Sequence, residues 1–97
     1  MKTWFVSRHP GALEWLAAQD FIVDEQVPHL NPQQVTAGDR VIGTLPIHLA
    51  AEVCSRRAEY WHLSMDVPHS LRGQELSYAQ MQECNVQLQR FLLLPWD

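Results

Sequence analysis

What most constrains this chain is the order in which strand-like and helix-like segments alternate. Thr3-Trp4-Phe5-Val6-Ser7 is β-branched and aromatic, and Arg8-His9-Pro10-Gly11 bounds it. A helix is predicted from about Pro10 to Gln19, since proline suits a first helical turn where its missing N–H would be unpaired anyway. Ala12, Leu13, Leu16 and Ala17 form its apolar stripe. Residues 21–27 read as a second strand, 40–44 as a third and 59–64 as a fourth. Pro28 to Asp39 reads as a loop with one helical turn near Pro32 to Val35. Between the third and fourth strands, Pro46 marks a helix start, and Ile47, Ala50, Ala51, Cys54 and Ala58 recur at helical spacing. Asp66 to Glu75 is a loop, and Ser77-Tyr78-Ala79-Gln80 is a capping box flanked by Leu76 and Met81 as a hydrophobic staple. The last helix is expected to run to about Arg90, burying Met81, Cys84, Leu88 and Phe91. Strand, helix, strand, loop, strand, helix, strand, helix predicts an α/β fold: a mostly parallel sheet of about four strands with helices on both faces.

At 97 residues the chain can bury one core, so residues 1–97 are expected to form a single domain. A hydrophobic fraction of 46% with 19% charged residues is that of a globular protein. No apolar run approaches the roughly 18 residues of a membrane span, and the apolar run after Met1-Lys2 is too short for an export signal. A cytoplasmic location, with no membrane partner, is the expectation. Cys54 and Cys84 sit on apolar faces of predicted helices, as reduced, buried cysteines would. The net charge of −4 argues against DNA as a partner, because a general nucleic-acid coat needs a basic stripe. A small phosphorylated ligand in a local pocket remains compatible with it.

Three polar motifs end the first, third and fourth strands: Ser7-Arg8-His9-Pro10-Gly11, Gly43-Thr44-Leu45-Pro46, and Ser64-Met65-Asp66 running on to Arg72-Gly73. Parallel strands would set all three along one rim, where ligands bind in open α/β sheets. The chemistry they suggest is phosphate handling. Helix N-termini attract anions, and two helices open on this rim behind the hydroxyls of Ser7 and Thr44. Arg8 adds a planar fork of donors, and His9 is of the side-chain type that exchanges protons near neutrality.

Plainer roles stand beside these. Ser7 and Thr44 would serve equally as helix caps, Arg8 as half of a surface ion pair, and Arg72 as a solvated loop residue. His48 and Glu52, at i and i+4, fit an exposed polar face, since no third ligand has a matching spacing; neither metal nor cofactor is expected. Trp15 and Trp61 fit core or dimer contacts better than base-stacking platforms. Arginine-histidine after a first strand also resembles the histidine phosphatases, although Pro10 stands where their motif has glycine and the chain is short for that fold.

The segments Thr3 to Ala12, Val41 to Pro46, His62-Leu63-Ser64, Arg72-Gly73 and Glu75-Leu76-Ser77 closely resemble, in order and spacing, a small family of proteins that accompany type III CRISPR systems. The resemblance implies a Rossmann-like domain similar to CRISPR-associated sensor domains, and a homodimer. It also implies a ring nuclease, which binds and cleaves the cyclic oligoadenylate messenger, here expected to be cyclic tetra-adenylate, and so switches off antiviral signalling. On that reading cleavage is metal-independent, by attack of the adjacent 2′-hydroxyl. Arg8, His9 and Ser7 are then the candidate catalytic residues, and Pro10, Gly11, Gly43, Thr44, Leu45, Pro46 and Arg72 the candidate ligand-binding ones. A sponge that binds the messenger without turnover, and a histidine-phosphatase-like hydrolase, are the alternatives.

Overall fold

A computed structural model describes residues 1–96. Five strands form one sheet: β1 (Thr3–Val6), β2 (Glu25–Val27), β3 (Arg40–Gly43), β4 (Glu59–Ser64) and β5 (Gln87–Phe91). Their spatial order is β2-β1-β3-β4-β5, with parallel pairing throughout except for the antiparallel β4–β5 edge. Helix α1 (Pro10–Ala18) joins β1 to β2, α2 (Ile47–Ser55) joins β3 to β4, and the short α3 (Tyr78–Gln82) precedes β5. The α/β class with a mostly parallel sheet is thus as the element order predicts, with one strand more than expected. No helix among the described residues is long and apolar enough to cross a membrane.

The alternation of side chains along each strand divides the core in two. Trp4, Val41 and Tyr60 point to one face and pack with Ala50 and Val53 of α2. Phe5, Ile42 and Leu63 point to the other and pack with Ala12 and Leu16 of α1 and Met81 of α3. Helices therefore cover both faces. The α1 stripe is narrower than its spacing suggests: Ala12 and Leu16 are buried, whereas Leu13 and Ala17 are exposed. The capping box of α3 forms as read, with Ser77 accepting from the Gln80 amide and the Gln80 side chain accepting from the Ser77 amide. Both staple residues, Leu76 and Met81, lie in the core. Cys84 is a buried free thiol; Cys54 is free but only half-buried.

Two expectations are corrected. The last helix does not reach Arg90 but ends at Gln82, and Asn85 takes a left-handed backbone (φ 50°) that turns the chain into β5. The alternation Gln87-Leu88-Gln89 has a strand's period of two, and it sets Leu88 beside Leu63 of β4. Met81 and Cys84 are buried as expected, but Leu88 is only partly so and Phe91 is exposed. The second strand does not run from 21 to 27. Asp20 at φ 65° ends α1 abruptly, Phe21 turns back to stand edge-on to Trp61, and only Glu25–Val27 pairs with β1.

The central pair is pinned at its amino ends by Asp39. One carboxylate oxygen accepts from the Lys2 amide (3.0 Å), and the other from the Trp4 indole (3.1 Å) and the Thr36 amide (3.0 Å). Burial works against the charge, but these donors hold the Asp39 carboxyl below its ordinary value of 3.8. Gly11 is a second fixed point: a Cβ there would overlap the backbone of Ser77 and Tyr78, so only glycine lets α1 meet α3 this closely.

Asp39→Ala is expected to destabilise the fold by about 3 kcal/mol, since it strands a buried indole and two amides. Because the folded value lies below the unfolded one, the carboxylate's contribution is complete above the unfolded value and is lost as pH falls through the folded one. Denaturant titrations at a series of acidic pH values should show that loss in the natural protein and its absence in Asp39→Asn. Gly11→Ala should cost roughly 1–3 kcal/mol by overpacking, read from the same titrations.

Candidate functional site

Parallel pairing brings the carboxyl ends of β1, β3 and β4 to one edge. Val6 stands opposite Gly43, and Gly43 opposite His62. The chain order reverses between β1 and β3, because β1 leads to β2 on one side while β3 leads to β4 on the other. Helix α1 leaves toward one face and α2 toward the other, which opens a crevice where ligands bind in such sheets. A cleft of about 600 Å³ lies there. Val6, Ser7, Arg8 and His9 form one wall, and Thr44 and Pro28 border it. Leu63, Met65 and Val67 supply apolar surface, and Gly73, Gln74 and Glu75 close the far side.

Four expected site residues therefore meet. Arg8 is exposed, and its guanidinium pairs with no carboxylate among the described residues, so its charge is available to a ligand. Ser7 does not cap α1. Its Oγ accepts from the His9 amide (3.0 Å), which leaves the hydroxyl hydrogen free to donate. The Thr44 hydroxyl donates to the Leu63 carbonyl, so it ties β3 to β4 and offers a ligand only its lone pairs.

His9 stands at the N-cap of α1 but makes no side-chain cap. Its Nδ1 instead accepts from the Leu76 amide at 3.0 Å, across to the loop before α3. In the neutral ring that bond places the proton on Nε2, making His9 a hydrogen-bond donor rather than a base. The Gly11 amide donates to the Leu76 carbonyl (3.1 Å), so both backbone polar groups of Leu76 are held by the β1–α1 segment.

The same bonds alter the expected anion chemistry of the helix ends. Pro10 has no N–H, Gly11 gives its amide to Leu76, and Ala12 donates to the His9 carbonyl (3.1 Å). The opening of α1 thus keeps no free amide in its first three residues, and any anion here depends on side chains. Pro10 and Gly11 do not line the cleft: Pro10 is exposed to solvent, and Gly11 is buried against Ser77 and Tyr78. Gly43 is buried, with a Cβ position about 3.0 Å from the Val6 carbonyl oxygen, so it serves strand packing. The Leu45 amide donates to the Tyr60 hydroxyl at 3.0 Å. Leu45 lines a separate apolar cavity of about 240 Å³ with Ile47 and His62, on the other face of the sheet. Pro46 caps α2 next to it. Burial pushes the Tyr60 phenol above its ordinary value, and its oxygen also lies 2.6 Å from Nδ1 of His62.

Arg72 lies outside the cleft. It borders an adjoining depression with Asp66, Pro68 and Glu83, and its Nε reaches the Val67 carbonyl at 3.4 Å. The residues after it, Gly73 to Glu75, take the place assigned to it. His48 is exposed on α2, and Glu52 pairs with Arg56 at 3.3 Å. Trp15 and Trp61 are half-buried beside Phe21 on the α1 face, and neither lines the cleft.

A family model described as "Putative CRISPR-associated protein (Cas_VVA1548)" matches residues 4–93, nearly the whole chain. No curated protein matches the chain, and no solved structure does.

The His9–Leu76 bond can be separated from the donor on Nε2. His9→Ala is expected to lower stability by about 1–2 kcal/mol, because it strands a partly buried amide. His9→Asn, whose Oδ1 lies near the Nδ1 position, should regain most of that loss while still lacking the distal donor. Melting curves of the two variants check this ordering.

Proposed function

The chain belongs to this CRISPR-associated family, and from that premise and the cleft at the reversal of the sheet we propose that it is a ring nuclease of type III CRISPR systems. It binds a cyclic oligoadenylate, with cyclic tetra-adenylate the favoured ring, and opens it by attack of a ribose 2′-hydroxyl on the adjacent phosphate. The observation that carries this reading is the meeting of Arg8, His9 and Ser7 with Thr44 in one crevice. Such a reaction needs no protein nucleophile. It needs the 2′-oxygen held in line with the departing 5′-oxygen, and donors for the charge on phosphorus. Arg8 would grip the scissile phosphate, the Ser7 hydroxyl would donate to a second oxygen, and Nε2–H of His9 would steady the leaving oxygen.

A cleft of about 600 Å³ suits part of a four-nucleotide ring. Two copies related by a two-fold axis would enclose the whole, which supports a homodimer. The phosphohistidine of a phosphatase is disfavoured, because the bond at Nδ1 leaves the neutral ring no lone pair on Nε2. Sequestration without turnover uses the same donors and is decided by experiment.

With cyclic tetra-adenylate in large excess over protein, linear products ending in 2′,3′-cyclic phosphate should accumulate through many turnovers and persist in chelator. Tight binding with no product would make the protein a sponge. Arg8→Ala should slow single-turnover cleavage on the order of a hundredfold and weaken binding, as loss of a charged donor to the transition state does.

A further inference from the structure

The proposed chemistry leaves one proton without a destination. The attacking 2′-hydroxyl must lose it, and His9 is poorly placed to take it, since Nδ1 already accepts from the Leu76 amide. Among the described residues lining the cleft, one carboxylate is present, that of Glu75. It is exposed, and it forms no ion pair with the described residues. Its backbone is nonetheless well anchored, because the next residue, Leu76, gives its amide to His9 and its carbonyl to Gly11. Gly73, at φ 80°, makes the turn that brings Gln74 and Glu75 back to the cleft, and a side chain would be strained there. The bonds that disqualify His9 as a base thus fix the carboxylate-bearing loop against it.

We propose that Glu75 is the general base of this site, accepting the proton of the 2′-hydroxyl as its oxygen attacks phosphorus; the assignment rests on the ring-nuclease reading. The O2′–H proton passes to a Glu75 oxygen, the O2′–P bond forms and the P–O5′ bond breaks. The 5′-oxygen takes a proton from water while Nε2–H of His9 donates a hydrogen bond to it. Glu75 then returns its proton to solvent, leaving a 2′,3′-cyclic phosphate and a 5′-hydroxyl. Arg8 and His9 are the charged or titratable groups that share the cleft with Glu75. Arg8 binds the phosphate and His9 donates, so the carboxylate is the group free to accept.

The test is single-turnover cleavage of cyclic tetra-adenylate by the full chain across pH, with affinity measured on a 2′-O-methyl ring that cannot react. Glu75→Gln is expected to slow cleavage about a hundredfold or more with affinity and melting temperature unchanged. The natural protein is expected to lose rate toward acid pH, and that loss should vanish in Glu75→Gln and persist in Glu75→Asp at a lower rate. A merely structural role would leave that acid limb in place. Glu75→Gln cleaving as fast as the natural protein, or keeping its acid limb, would overturn the assignment while the ring-nuclease reading stands. A natural protein that binds the ring but never cuts it overturns both.

Discussion

The arrangement depends on one buried carboxylate. Asp39 binds the first residues of β1 through Lys2 and Trp4, and the turn before β3 through Thr36. It thereby supports the register in which Thr3 faces Arg40 and Val6 faces Gly43. Side chains alternate along a strand, so a slip of one residue would send Trp4 and Phe5 to the wrong faces and exchange the two cores. It would also part the loops that begin at Ser7 and Thr44. The amino end of the sheet thus holds the geometry that the carboxyl end uses.

Much of this was legible in the chain, and the remainder failed for identifiable reasons. The buried run Thr3 to Val6, the proline that opens α1 and the Ser77–Gln80 box carry local signals, and local signals survive folding. The meeting of Arg8 and Thr44 followed from parallel strands alone. The last helix stops short of its expected end because the Ser77–Gln80 start signal is local, whereas the alternation in Gln87-Leu88-Gln89 has a strand's period. The fate of the helix-end amides is illegible in the sequence for another reason. The partners that occupy the Gly11 amide and His9 Nδ1 both belong to Leu76, far along the chain, and no spacing rule announces them. Glu75 was present in the recognised segment Glu75-Leu76-Ser77, yet as an exposed loop carboxylate it had no distinguishing pattern of its own.

The cleft has a division of labour that its composition conceals. Groups that look equivalent on paper separate once their hydrogen bonds are counted. The Thr44 hydroxyl hydrogen is committed to Leu63, whereas the Ser7 hydroxyl hydrogen is free because that oxygen serves as an acceptor. Arg8 makes no ion pair with the described residues, whereas Arg40 and Arg56 are joined to Glu59 and Glu52. Arg8 and Ser7 thus keep donors that face the crevice, whereas the Thr44 hydroxyl and the Asp39 carboxylate are spent holding strands and loops together.

The bond between His9 and Leu76 joins residues separated by 67 positions. During synthesis the Arg8–His9 segment leaves the ribosome 67 residues ahead of its partner. Until then the imidazole has no reason to prefer one tautomer, and the wall carrying Gln74 and Glu75 has nothing to lean on. Closing so long a loop costs entropy that only the assembled sheet and the α1–α3 contact can offset. The pocket is therefore a late product of folding, and a chain stopped before Leu76 would have its arginine and histidine without a site to put them in.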